Sequence, residues 1–191
     1  MEPNKRDAIL RVAEKIGDSL VQAQYVLWTL NALHHHSSAS PEIDESRPFV
    51  MDQIWRGLFD RLYMKIGSVI EKSDGAGNLS HLKSLIITEQ NIDLALRKDI
   101  ELAFSQLEKF DELRQWRNKV IAHNDLNFDA EAFYEKHKMH VSSYQPIIDA
   151  LYELLNIVSF LTAETIYLKS DESEYERILR EAGSLYQKMN S

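Results

Sequence analysis

Arg114, Arg117 and His123 are the residues whose types and spacing could do chemistry, within the stretch 111–125, DELRQWRNKVIAHND. A guanidinium grips anions with a planar fork of donors, and an imidazole exchanges its proton near neutral pH. Behind these residues Leu96, Ile100, Ala103, Leu107 and Phe110 step at four-three spacing, the buried stripe of a long amphipathic helix. Carried forward, that stripe lands on Arg114 and Arg117. A core-facing run that ends on two guanidiniums has reached an interface or opened a polar site, because a buried Arg needs partners. The neighbouring stripe, Leu113, Trp116 and Val120, arrives by the same spacing at His123. The bland alternative is a partly exposed helix end, with snorkelling Arg side chains and a His where the helix dipole favours a cation.

The chain that must position these groups has 191 residues, enough for one domain with a sizeable core, and no composition shift divides it. Six Gly and four Pro favour helices. Asp7, Glu14 and Asp18 interrupt the opening segment and no apolar run is long enough to span a bilayer, so a soluble, cytoplasmic protein is expected. With no Cys there is no disulfide, thiolate nucleophile or Cys-based zinc site. A formal charge of -8 argues against a broad nucleic-acid-wrapping surface and leaves room for a small basic site.

Taken in order, Ile9, Ala13, Ile16, Leu20, Ala23, Leu27 and Leu30 predict a first long helix from about Lys5 to His35. His34, His35 and His36 at its end point about 100° apart, which suits a solvated helix end rather than one metal site. Residues 37–48, with two Pro and several acids, read as a flexible acidic loop. A second helix carries Met51, Trp55, Leu58, Leu62, Ile66 and Val69, with Gly57 and Gly67 where another helix is expected to approach. The run 73–79, SDGAGNL, stops it; lacking a following Lys-Ser or Lys-Thr and a preceding strand, it is a linker rather than a phosphate loop.

A short helix is expected from Ser80 to Ile87, and Thr88 or Asn91 caps the long motif helix that runs to about His123. Asn124 to Asn127 turn the chain, and Asp129 caps a short helix to about Lys138. His137 and His140 have the spacing of a metal pair, but no further ligand converges on them by sequence, so no metal and no cofactor is assigned. Ser143 caps the next helix, with Pro146 in its first turn and a stripe from Ile147 towards about Lys169. Ser173 to Glu176 form a capping box for a C-terminal helix bearing Tyr175, Ile178, Leu179, Ala182, Leu185 and Met189. The fold class is therefore all-α, a bundle of four long helices with short helices between them.

The run Arg117-Asn118-Lys119-Val120-Ile121-Ala122-His123 resembles the signature of the HEPN superfamily of α-helical ribonucleases and nucleotide-binding proteins. Its flanks look most like the abortive-infection branch, found among phage-defence and toxin–antitoxin systems. The resemblance implies a HEPN-like bundle over residues 1–191 and metal-independent endoribonuclease chemistry: the ribose 2′-OH attacks the adjacent phosphate, leaving a 2′,3′-cyclic phosphate and a 5′-OH. In that reading Arg117 stabilises the phosphate charge, His123 transfers protons and Asn118 orients the ribose or the His. Arg114 widens the phosphate site, and Lys119 and Asn124 are further RNA-binding candidates.

On one ideal helix Arg117 and His123 stand roughly 120° and about 9 Å apart, so a homodimer with a two-fold axis near this helix end would assemble a shared cleft. The implied partners are an RNA substrate and a cognate antitoxin or nucleotidyltransferase, with no membrane; toxin and regulator are not separated by sequence. Two other readings stay open. One is a non-catalytic HEPN-like module for a nucleotide, an RNA end or a partner protein, which the acidic balance favours. The other is an adaptor whose Arg residues pair across an interface with acids such as Asp111 or Glu112.

Overall fold

The computed structural model describes residues 2–38, 49–71, 77–89, 92–108, 144–164, 166 and 172–189. Within them the chain forms six helices and no strand: α1 (Pro3–Ser38), α2 (Phe49–Val69), α3 (Leu79–Ile87), α4 (Leu94–Glu108), α5 (Gln145–Thr162) and α6 (Glu172–Met189). The fold is an all-α bundle. Its centre is α1, against which α2, α3, α5 and α6 pack, while α4 packs on α5. Residues 39–48, the greater part of the expected acidic loop, lie outside the described residues; Ser37 and Ser38 belong to α1.

The sequence periodicity of α1 is realised in full, since Ile9, Ala13, Ile16, Leu20, Ala23, Leu27 and Leu30 are all buried. Val12, Val26, Ala32 and Leu33 widen that stripe, as a helix touched on several sides requires. Leu62, Ile66 and Val69 are the buried part of α2, and Trp55 and Leu58 pack half-buried at the core margin. Gly57 departs from expectation: among the described residues a Cβ there would meet nothing within 4 Å.

Helix ends are where residue chemistry overrode the reading from periodicity. Asn78, unremarked in the sequence, is the N-cap of α3, accepting the His81 N–H on its side-chain oxygen at 2.9 Å. Gly77 before it takes φ +106, a left-handed turn that glycine adopts without a Cβ penalty, and Lys15 packs against it. Thr88 does not cap α4; its hydroxyl turns back to the Ser84 and Leu85 carbonyls and closes α3. The α4 cap is Asp93, whose carboxylate accepts from the Ala95 N–H, and Asn91 lies outside the described residues.

The fifth helix is also shorter than its stripe suggested. It stops at Thr162 rather than near Lys169, because Ala163 turns left-handed at φ 54 and Glu164 donates its N–H back to the Ser159 carbonyl. Arg6 of α1 fixes this end: its Nε donates to the Thr162 carbonyl at 2.8 Å and its Nη2 to the Glu164 carboxylate at 2.6 Å. A guanidinium from the start of the chain thus satisfies a carbonyl that the end of α5 leaves open. At the other end Tyr144 is the N-cap without a side-chain bond and Pro146 sits in the first turn as expected; Ser143 lies outside the described residues. For α6, which begins at Glu172, Ser173 falls inside the first turn, and Glu174 and Glu176 pair with Arg177 and Arg180.

His36 corrects the expectation of a wholly solvated histidine run. Its Nε2 lies 3.0 Å from the Leu179 carbonyl of α6, and its ring occupies the space that a side chain on Gly183 would need. A Cβ on Gly183 would stand 2.7 Å from the ring Cε1. Replacing a mid-helix Gly by Ala ordinarily stabilises by about 0.5–1 kcal/mol. Here the expected order is inverted: Gly183→Ala alone is neutral or destabilising, and becomes stabilising by about 1 kcal/mol only when His36→Ala clears the ring. Urea unfolding of the four chains of that cycle checks it. The phase of α4 is checked the same way, with Leu107→Ala (3% exposed) costing about 2–5 kcal/mol and Leu102→Ala (59% exposed) under about 1 kcal/mol.

Candidate functional site

All six residues assigned chemistry from sequence, Arg114, Arg117, Asn118, Lys119, His123 and Asn124, lie outside the described residues, as do His137 and His140. The structure does describe how the chain is held where it enters and leaves the stretch 109–143. On the entry side α4 buries Ile100, Ala103, Phe104 and Leu107, so the four-three stripe that points to Arg114 and Arg117 in the sequence faces the core as read. On the exit side Tyr144 is fully buried. Its ring meets Tyr63 edge-on at 5.3 Å and Phe59 at 6.2 Å, distances at which aromatic pairs attract through ring edge and face.

The residue after it carries the polar part of this anchor. The side-chain amides of Gln145 and Gln24 exchange hydrogen bonds at 3.3 and 3.4 Å, and Gln145 also donates to Asp149 at 2.9 Å. Gln24 is 1% exposed, and a buried amide is tolerated because a matching amide meets its donor and its acceptor. Leu107 and Tyr144 belong to one hydrophobic cluster, so both ends of the stretch are fixed to the same core.

Where α4 ends, a cavity of about 250 Å³ opens between α2, α3 and α4. Leu79, Leu107, Phe104 and Ile70 line its apolar part, and Glu71, Ser80, Lys83 and Glu108 its polar part. Lys83 Nζ donates to the Glu108 carboxylate at 2.8 Å and stands 5.6 Å from the centre of the Phe104 ring. Both members of the ion pair are substantially exposed, so it orients the end of α4 more than it stabilises it. No group of three metal-ligating side chains exists among the described residues.

Sequence reasoning did not find Lys83. Its only local signal is a place beside the Leu79, Leu82 and Ile86 stripe of α3, and its pairing with Glu108, 25 positions away, is a product of the fold.

No helix among the described residues is long and apolar enough to cross a membrane. Comparison with curated proteins and with solved structures returned no match. The family model for AbiU2, a HEPN family, matches residues 7–184, a span that takes in α1, both anchors and the stretch between them. A match over nearly the whole chain places it with the abortive-infection type of HEPN module rather than with helical bundles at large: the protein belongs to the AbiU2 family of HEPN proteins.

Proposed function

We propose that this chain is a metal-independent endoribonuclease of phage-defence or toxin–antitoxin type, acting as a homodimer with a composite site. The observation that carries the reading is that the family match runs through residues 117–123, where the sequence is Arg-Asn-x4-His. Arg117 grips the scissile phosphate and stabilises the charge that grows on it as the ribose 2′-OH attacks. His123 moves the proton, either from the 2′-OH or to the departing 5′-oxygen, a task suited to an imidazole near neutrality. The products are a 2′,3′-cyclic phosphate and a 5′-OH. Asn118 orients the ribose or His123, and Arg114, Lys119 and Asn124 extend the grip on RNA. On the single helix expected from the sequence, the spacing of Arg117 and His123 supports a cleft that draws its groups from two chains.

A second reading has its own support. The formal charge of -8 and the carboxylates Glu71 and Glu108 beside the pocket at the end of α4 disfavour a long polyanion there. In that reading the chain is a non-catalytic HEPN-like module for a nucleotide or a partner protein.

Cleavage of a labelled single-stranded RNA panel separates the two. Arg117→Ala is expected to cut the rate about a thousandfold and His123→Ala about a hundredfold or more, with circular dichroism unchanged. Arg117→Lys rescues poorly, because a point charge lacks the bidentate fork. Wild-type chain inert towards RNA yet binding nucleotides selects the second reading; equal cleavage by wild type and both variants assigns the activity to another site. EDTA is expected to leave the rate unchanged, and a loss restored by a divalent ion would make His137 and His140 the residues to substitute next. Light scattering at micromolar concentration should give a dimer, and mixing Arg117→Ala with His123→Ala chains should restore part of the activity. A monomer at every concentration removes the composite site.

A further inference from the structure

Between α4 and α5, away from the pocket at the end of α4, runs a groove of about 330 Å³ lined by Asp99, Leu102, Ala103, Gln106, Glu153 and Ile157. Its floor is apolar and open to solvent. Leu102 is 59% exposed, and Phe160, one turn beyond Ile157 on α5, is 79% exposed. Single exposed apolar side chains are ordinary on protein surfaces; here Leu102 and Ile157 line the groove and Phe160 lies one turn beyond its lining on α5, which gives a docking partner more than one apolar foothold. Facing each other from the two helices are the carboxylates of Asp99 and Glu153, both exposed and neither hydrogen-bonded nor ion-paired among the described residues. Among the described residues no Lys or Arg lines the groove. Elsewhere on the surface Glu108, Glu174 and Glu181 each hold a Lys or Arg of this chain.

We propose that the groove between α4 and α5 receives a basic amphipathic helix of a second polypeptide, with apolar residues seated on Leu102, Ile157 and Phe160 and Lys or Arg side chains reaching Asp99 and Glu153. Two helices side by side offer a third helix the furrow it packs into, and anchors at i, i+3 or i+4 and i+7 match such a furrow. The charge selects the occupant. A second copy related by a two-fold axis across the groove would bring Asp99 and Glu153 against their own kind, on a chain whose formal charge is already -8. RNA meets the same repulsion. The proposal is independent of the ribonuclease reading, because it uses no residue of the stretch 109–143.

The test is fluorescence anisotropy of a fluorescein-labelled, 14-residue Leu/Lys amphipathic helix titrated with the full chain, beside the same pattern with Glu in place of Lys. Saturable binding of one Lys peptide per chain is expected, and none of the Glu peptide. Leu102→Ala and Phe160→Ala should each weaken binding about tenfold. The pair Asp99→Lys with Glu153→Lys should weaken it about a hundredfold, whereas Glu14→Lys with Asp18→Lys, the same charge change on exposed positions of α1, should have an effect below about threefold. The four substituted positions, Leu102, Phe160, Asp99 and Glu153, are solvent-exposed, and melting followed by circular dichroism confirms that each variant folds. Equal loss from the two charge reversals would mean diffuse attraction and would overturn the proposal. So would absence of binding, or insensitivity to Leu102→Ala and Phe160→Ala. A dimer in sedimentation velocity that these two alanine substitutions convert to monomer would give the groove to a second copy instead, and would equally overturn it.

Discussion

Burial of one long helix on several of its sides at once is the constraint from which the rest of this structure follows. At 36 residues α1 extends for about 54 Å, and it is the surface on which α2, α3, α5 and α6 each hide an apolar face. Its buried set, Ile9, Val12, Ile16, Leu20, Leu27, Leu30 and Leu33 among others, is too wide for a single partner. Among the described residues α4 packs chiefly on α5 and is tied to α3 by the Lys83–Glu108 pair. The helix that leads towards Arg114 and Arg117 is therefore carried at one remove from the central post.

The division between what could be read and what could not follows the range of the interactions concerned. Stripes on α1, α2 and α4 were legible because helical periodicity is local: the residue that must be buried lies three or four places from the last one. Caps were less so. Asn78 caps α3 and Asp93 caps α4, and several polar residues in a row offer the same cap chemistry. The end of α5 was illegible in principle, since it is fixed by Arg6, more than 150 positions earlier in the chain.

The candidate site divides along the same line. Its residue types and its Arg-to-His spacing stand in the sequence, and the family match runs through them. The surroundings that a mechanism also needs, such as the Lys83–Glu108 pair, the Phe104 ring over Lys83 and the Gln24–Gln145 exchange, join residues from 21 to 121 positions apart. No local spacing announces such pairs. Leu107 and Tyr144, on either side of the stretch 109–143, belong to one core.

The meeting of His36 with Gly183 bears on how α6 is positioned. A bare glycine backbone is a socket one residue long, and the imidazole of α1 fills it. Sliding α6 by one turn along its axis would bring Leu179 or Gln187 to the ring, and the side chain of either would collide with it. Apolar faces alone tolerate such slippage, because one leucine replaces another at nearly equal energy. The socket makes the register discrete, so the last helix of the chain has one seat along α1 rather than a range of them.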